Sequence, residues 1–163
     1  MKRLPKKISV SACLLLAVSL ALLDHLSKVW ALDELASGSL PFIPRVLDFS
    51  LVLNAGAAWG LFQGARWAFL ILALVIVVII LVYLVKSDGC TPLEVIGLGM
   101  FLAGTIGNAI DRALRGEVVD FIHTLFISFP VFNVADCCIT VGLVLFLIAI
   151  LFSPDGLLRG EKE

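Results

Sequence analysis

Long apolar runs take up most of the chain, and the polar residues collect between them or at their ends. Four runs, at about 8–32, 67–85, 94–110 and 134–152, match or approach the roughly 20 residues with which an α-helix crosses a bilayer core. The second is free of charge throughout. The first carries Asp24 and Lys28, the third ends in Asn108, Asp111 and Arg112, and the fourth opens on Asp136. Between the first two runs, Asp48–Asn54 alternates: Phe49, Leu51 and Leu53 fall on one side, Asp48, Ser50 and Asn54 on the other, with Val52 the exception. That period of two predicts an extended strand. The small residues of Ala55–Gly60 then turn the chain. Such a segment suits two readings, a strand that holds a peptide by strand addition and a packed interfacial loop anchored by Trp59 and Trp67. The pattern therefore predicts one integral membrane domain over 1–163, all-α and polytopic, with four transmembrane helices. Longer polar segments lie at about 33–66, which holds the extended stretch, and at about 111–133, and a short turn lies at about 86–93.

Composition agrees. The chain is 61% hydrophobic and 15% charged, with a mean hydropathy of +1.10, more apolar surface than a soluble domain of 163 residues can cover. A net charge of −1 leaves no basic excess to neutralise phosphates, which excludes nucleic acid as a partner. Lys2, Arg3, Lys6 and Lys7 precede the first run, Lys86 follows the second, and Arg159 and Lys162 follow the fourth. Counted near the spans, these place both termini and the 86–93 turn in the cytoplasm, and the 33–66 and 111–133 segments outside, with Arg45, Arg66, Arg112 and Arg115. Val10-Ser11-Ala12-Cys13 has the form of a lipoprotein cleavage site, but too few apolar residues separate it from Lys7, so an uncleaved first helix is expected. Cys90 falls in the cytoplasmic turn, and Cys137 and Cys138 read as small packing residues rather than a redox pair. His25 and His123 are isolated and read as interfacial. No spacing suits a metal, and no cofactor is called for.

The chemistry lies in the polar residues of these apolar surroundings. Carboxylates are expensive in hydrocarbon, so Asp120 in Val118-Val119-Asp120-Phe121 and Asp136 in Phe132-Asn133-Val134-Ala135-Asp136 mark a site by default. Brought together, they would share a proton, since two close carboxylates do not readily both ionise. One would then act as base and the other as acid. In the third run Gly97, Gly104, Asn108 and Asp111 share a helical face, while Ala103 and Gly107 form a small-x-x-x-small pair that permits close helix approach. Asp24 and Lys28, at i and i+4, are spaced to pair, as a structural ion pair or as a substrate contact. Two other classes compete with an enzyme. A proton- or cation-coupled transporter subunit would spread its acids through the membrane's depth, whereas here they gather near one face. A scaffold with buried acids paired to Arg112 and Lys28 would tolerate Asp→Asn changes.

Read in order, Asp24-His25-Leu26-Ser27-Lys28, Asn54-Ala55-Gly56-Ala57-Ala58-Trp59, Gly104-Thr105-Ile106-Gly107-Asn108-Ala109-Ile110-Asp111-Arg112, Val118-Val119-Asp120-Phe121 and Phe132-Asn133-Val134-Ala135-Asp136 resemble the motifs of the bacterial lipoprotein signal peptidases, or signal peptidase II. The resemblance runs from about Asp24 to Gly142. It departs at Ala103-Gly104, where the family usually has Gly-Gly, and at Cys137-Cys138. It implies an aspartic endopeptidase of the bacterial inner membrane that cuts prolipoproteins on the amino side of a diacylglyceryl-modified cysteine. Asp120 and Asp136 map onto the catalytic dyad, Asn54, Asn108, Arg112 and Asn133 onto positions that line or brace the site, and Asp24, Lys28, Asp111 and Gly107 onto supporting ones. It further implies an external cradle with a short amphipathic helix at the membrane surface, lipid-modified prolipoproteins and membrane lipids as partners, and globomycin-type inhibitors.

Overall fold

A computed structural model describes residues 2–152; Arg159 and Lys162, counted above for orientation, lie outside the described residues. Four helices are long and apolar enough to span a membrane: α1 (Lys6–Glu34), α2 (Arg66–Lys86), α3 (Pro92–Arg115) and α4 (Val134–Phe152). The third is the hub. In its most apolar stretch 61% of residues are buried, against 11–22% in the other three, which turn most of their side chains outward as lipid-facing helices do. Its small residues allow this. A Cβ on Gly97 would lie 2.6 Å from Phe146 N, and one on Gly142 would lie 2.5 Å from Phe101 N, so α3 and α4 meet backbone to backbone.

The ends of α3 are set locally. Thr91 Oγ1 accepts from Glu94 N while Glu94 Oε2 accepts from Thr91 N, a capping box with Pro92 as the first helical residue. Gly116, left-handed at φ 88°, stops the other end and donates to Arg112 O. The helix thus runs a turn beyond the expected 94–110, and Asp111 and Arg112 belong to it rather than to a loop.

Three strands, β1 (Leu40–Ile43), β2 (Leu47–Asn54) and β3 (Val118–Thr124), form an antiparallel sheet in the order β1-β2-β3. Its inner side closes over the end of α1, where Ala31, Leu35, Val119 and Phe121 are buried with Phe49 and Leu51 against them. The predicted alternation of β2 holds only to Leu51. A bulge between Phe49 and Val52 inserts a residue, so Val52 faces Asp120 across the strands and Leu53 is left exposed. Between β2 and α2 the helical structure is one 3-10 turn, Ala58–Gly60. His123, expected to be isolated, has its Nδ1 3.0 Å from Asp48 Oδ1 across the strand pair.

Candidate active site

Asp120 reaches the site from β3 and Asp136 from the first turn of α4, and Asn133 joins them. Asn133 Nδ2 donates to Asp120 Oδ1 at 2.7 Å. The same residue caps α4: its Oδ1 accepts from Asp136 N at 3.0 Å, and its backbone N donates to Asp136 Oδ2 at 3.1 Å. This reciprocal arrangement uses the Asp136 carboxyl as the third-position partner of a capping box, at the end of the helix where backbone dipoles favour negative charge. The remaining oxygens are also engaged. Asn54 Nδ2 donates to Asp120 Oδ2 at 2.9 Å, and Asn108 Nδ2 to Asp136 Oδ1 at 2.7 Å. The bulge in β2 makes the Asn54 contact possible, because with Val52 opposite Asp120, Asn54 lies diagonally across on the same face of the sheet. Burial pushes the Asp120 carboxyl up from 3.8 to about 6; the Asn54 and Asn133 amides oppose that rise and the Asp136 charge adds to it.

Behind the acids lies a buried cation. Lys28 Nζ donates to Asn108 Oδ1 at 2.9 Å and is ion-paired with Asp24 Oδ2 at 2.8 Å and Asp111 Oδ2 at 2.9 Å. Asp24 Oδ1 accepts from Ala135 N at 2.8 Å, so α1 also caps α4, and Asp111 Oδ2 accepts from Val119 N at 3.2 Å, tying α3 to β3. A Cβ on Gly107 would lie 2.5 Å from Asp24 Oδ2, which leaves room only for glycine beside this pair. Arg112 donates to Gly56 O at 2.9 Å, stacks 4.4 Å from the Phe69 ring and so straps the loop after Asn54 to α2 and α3.

The two acids border a cleft of about 480 Å³ together with Asn54, Asn108 and Arg112. Phe129, Val131 and Phe132 form one wall, with Trp59 set edge-on to Phe129 at 5.7 Å, and Cys137, Thr140 and Val141 of α4 form another. Every candidate from the sequence therefore falls into the cleft or its bracing. Cys137 was expected only to pack; it is exposed and lines the cleft, whereas Cys138 is buried. Thr140 and Phe129 were not singled out, although Thr140 lies one helical turn after Asp136 and so shares its face. Among the described residues no three His, Cys, Asp or Glu side chains come together as a metal site.

Fold and site define a four-span membrane protein with a carboxylate-lined cleft at one end of its bundle. A sequence model of the family described as "Signal peptidase (SPase) II" matches residues 16–152. A lipoprotein signal peptidase of Geobacillus thermodenitrificans (strain NG80-2) is 43% identical over 141 residues, covering 85% of this chain and 88% of that one. One from Anoxybacillus flavithermus (strain DSM 21510 / WK1) is 42% identical over 137 residues, 82% of each. A solved structure described as a bacterial membrane enzyme, obtained by the in meso method at 2.3 Å resolution, superimposes with a TM-score of 0.84 at 32% identity over 94% of both chains. The chain belongs to the signal peptidase II family and is a membrane-embedded peptidase. Nothing in these likenesses points to a transporter.

Proposed function

We propose that the protein is an aspartic endopeptidase that removes signal peptides from prolipoproteins, cutting on the amino side of a diacylglyceryl-modified cysteine, with Asp120 and Asp136 as its catalytic pair. The observation that carries the reading is the joining of these two acids through one asparagine at the edge of a cleft. Asp136, at the N-terminus of α4, is the carboxylate, and Asp120, raised to about 6 by burial, is the acid. Asp136 takes a proton from water as the oxygen attacks the scissile carbonyl carbon. Asp120 donates a hydrogen bond, then its proton, to the carbonyl oxygen. Collapse of the tetrahedral intermediate breaks the C–N bond, and the proton held by Asp136 goes to the departing amine of the lipidated cysteine, while that from the hydroxyl returns to Asp120. Asn54, Asn108 and Asn133 hold the carboxyls in place; Lys28, Asp24, Asp111 and Gly107 support Asn108 and α4; Arg112 holds the loop over the cleft.

In this reading the protein belongs to the bacterial inner membrane with both termini cytoplasmic and the cleft on the external side, as the basic residues near the spans support, and a globomycin-type inhibitor is expected to occupy the cleft in place of substrate. The test is cleavage of a lipid-modified prolipoprotein by purified protein in detergent. Asp120→Asn and Asp136→Asn are each expected to lower the rate at least about a hundredfold while leaving the fold intact, as loss of acid–base catalysis implies. Full activity in either variant overturns the assignment.

A further inference from the structure

The end of the bundle opposite the carboxylates carries a second hollow, a groove of about 600 Å³ along α2 lined by Arg3, Val78, Ile79, Val82, Tyr83 and Lys86. Val78, Val82 and Lys86 follow one another at intervals of four, and Ile79 and Tyr83 form the adjacent line, so an aliphatic lane leads straight to an ammonium group. Val78, Ile79 and Val82 are exposed on a helix of spanning length, which makes the lane a lipid-facing surface. Lys86 makes no hydrogen bond or ion pair among the described residues, and the neighbouring Val85 carbonyl is taken instead by Lys6 Nζ.

The chain around Arg3 is fixed. Leu4 N donates to Cys90 O at 2.8 Å, Leu4 O accepts from Ser9 Oγ at 3.2 Å, and Ser9 Oγ accepts from Cys90 N at 3.0 Å. A Cβ at Gly89 would collide with Leu4 O, so this lashing depends on glycine there. Behind the groove wall Tyr83 donates to the buried Glu94 at 2.7 Å. The cations are thus mounted on an ordered surface above an apolar channel.

We propose that this groove binds one anionic phospholipid of the adjoining leaflet, with its phosphate between Lys86 and Arg3 and an acyl chain along Val78, Ile79 and Val82. A diffuse positive fringe at a span end attracts such lipids without choosing a place. Here cations and an aliphatic lane meet in one hollow, which suits a phosphodiester joined to a hydrocarbon chain and suits neither part alone.

Native mass spectrometry of the full chain, released from detergent with added phosphatidylglycerol, phosphatidylcholine or glycerol phosphate, tests the site. One phosphatidylglycerol should be retained where phosphatidylcholine is not. Lys86→Gln should weaken that retention roughly fivefold, the share of one cation near a charged membrane surface, and Lys7→Gln, equal in charge but outside the groove, by less than about twofold. Val82→Trp, which fills the lane without changing charge, should weaken it at least as much as Lys86→Gln. All three variants should still cleave prolipoprotein, which reports their folding. Equal retention of phosphatidylcholine, equal loss in Lys7→Gln and Lys86→Gln, unchanged binding in Val82→Trp, or glycerol phosphate bound as tightly as the lipid would each overturn the proposal.

Discussion

Two residues set the behaviour of the site against pH and against mutation. Asp120 holds its proton in the folded protein up to about pH 6, while an unfolded chain releases it near 3.8. Raising the pH through that window ionises a buried carboxyl, so this group's contribution to stability is complete below the lower value, falls as pH rises, and is lost above the upper one. The singly protonated pair of the folded protein is depleted as the pH rises through about 6. The alkaline limb of kcat/KM, which reports the free enzyme, is therefore expected near pH 6, and that of kcat at higher pH, because bound substrate excludes water from Asp120. Coincident limbs in a pH–rate series would contradict the burial argument. Lys28 is the other residue. Only 1% exposed and bonded to two acids and Asn108, it leaves uncompensated buried charge when removed. Lys28→Met should cost about 3–5 kcal/mol in unfolding experiments, and adding Asp24→Asn should recover part of that loss. A cost under about 1 kcal/mol would show that water or relaxation already compensates the acids.

At the scale of elements, hydrophobic length and helical spacing carried most of the information. The four spans, the strand at Asp48–Asn54 and the Asp24–Lys28 pair are all encoded within a few neighbouring residues. β3 was not legible, because Val118–Thr124 has buried residues on both faces for most of its length and shows no alternation. The bulge in β2 was equally hidden. It is a fact about pairing with β3, and it is what turns Asn54 toward Asp120. The capping role of Asp136 needed Asn133 to be recognised as a helix N-cap beside an apolar run, a local signal that the family resemblance overshadowed. The structure also sharpens the orientation argument. Arg66 is bonded to Ala113 O, Arg112 to Gly56 O and Arg115 lies 4.0 Å from Asp111, so these arginines are engaged within the protein. Lys86, unpaired among the described residues, joins Lys2, Lys6 and Lys7 at the other end, and the positive bias lies there. An impermeant thiol reagent should therefore label a cysteine placed at Gly116 from outside intact cells, and one at Asp88 only after permeabilisation. The reverse pattern would put the cleft in the cytoplasm.

For the molecule as a whole, the decisive relation is between the cleft and the surrounding hydrocarbon. α3 is enclosed, while α4 shows lipid an apolar face on which Val141, Val144 and Ile148 are exposed at helical spacing. Val141 also lines the cleft, so one surface runs from the two acids along α4 into the membrane. A diacylglyceryl group on the substrate cysteine would fit that continuity: under the proposed function its chains would lie in lipid and the bond before the cysteine would be held at the level of Asp120 and Asp136. Each methylene kept out of water contributes about 0.8 kcal/mol, so two acyl chains outweigh the few peptide side chains that the cleft can hold. Much of that energy keeps the substrate in the membrane whether or not it meets the enzyme; the part that fixes the depth of the scissile bond is what acts on the transition state. The same prolipoprotein lacking the diacylglyceryl group is expected to be cleaved at least about a hundredfold less efficiently, close to 2.7 kcal/mol of lost transition-state stabilisation. The measurement is kcat/KM for both substrates in one detergent, with a single-acyl substrate as an intermediate case. Equal values for all three would mean that the peptide alone sets the register, and that the apolar surface leading away from the cleft has no part in recognition.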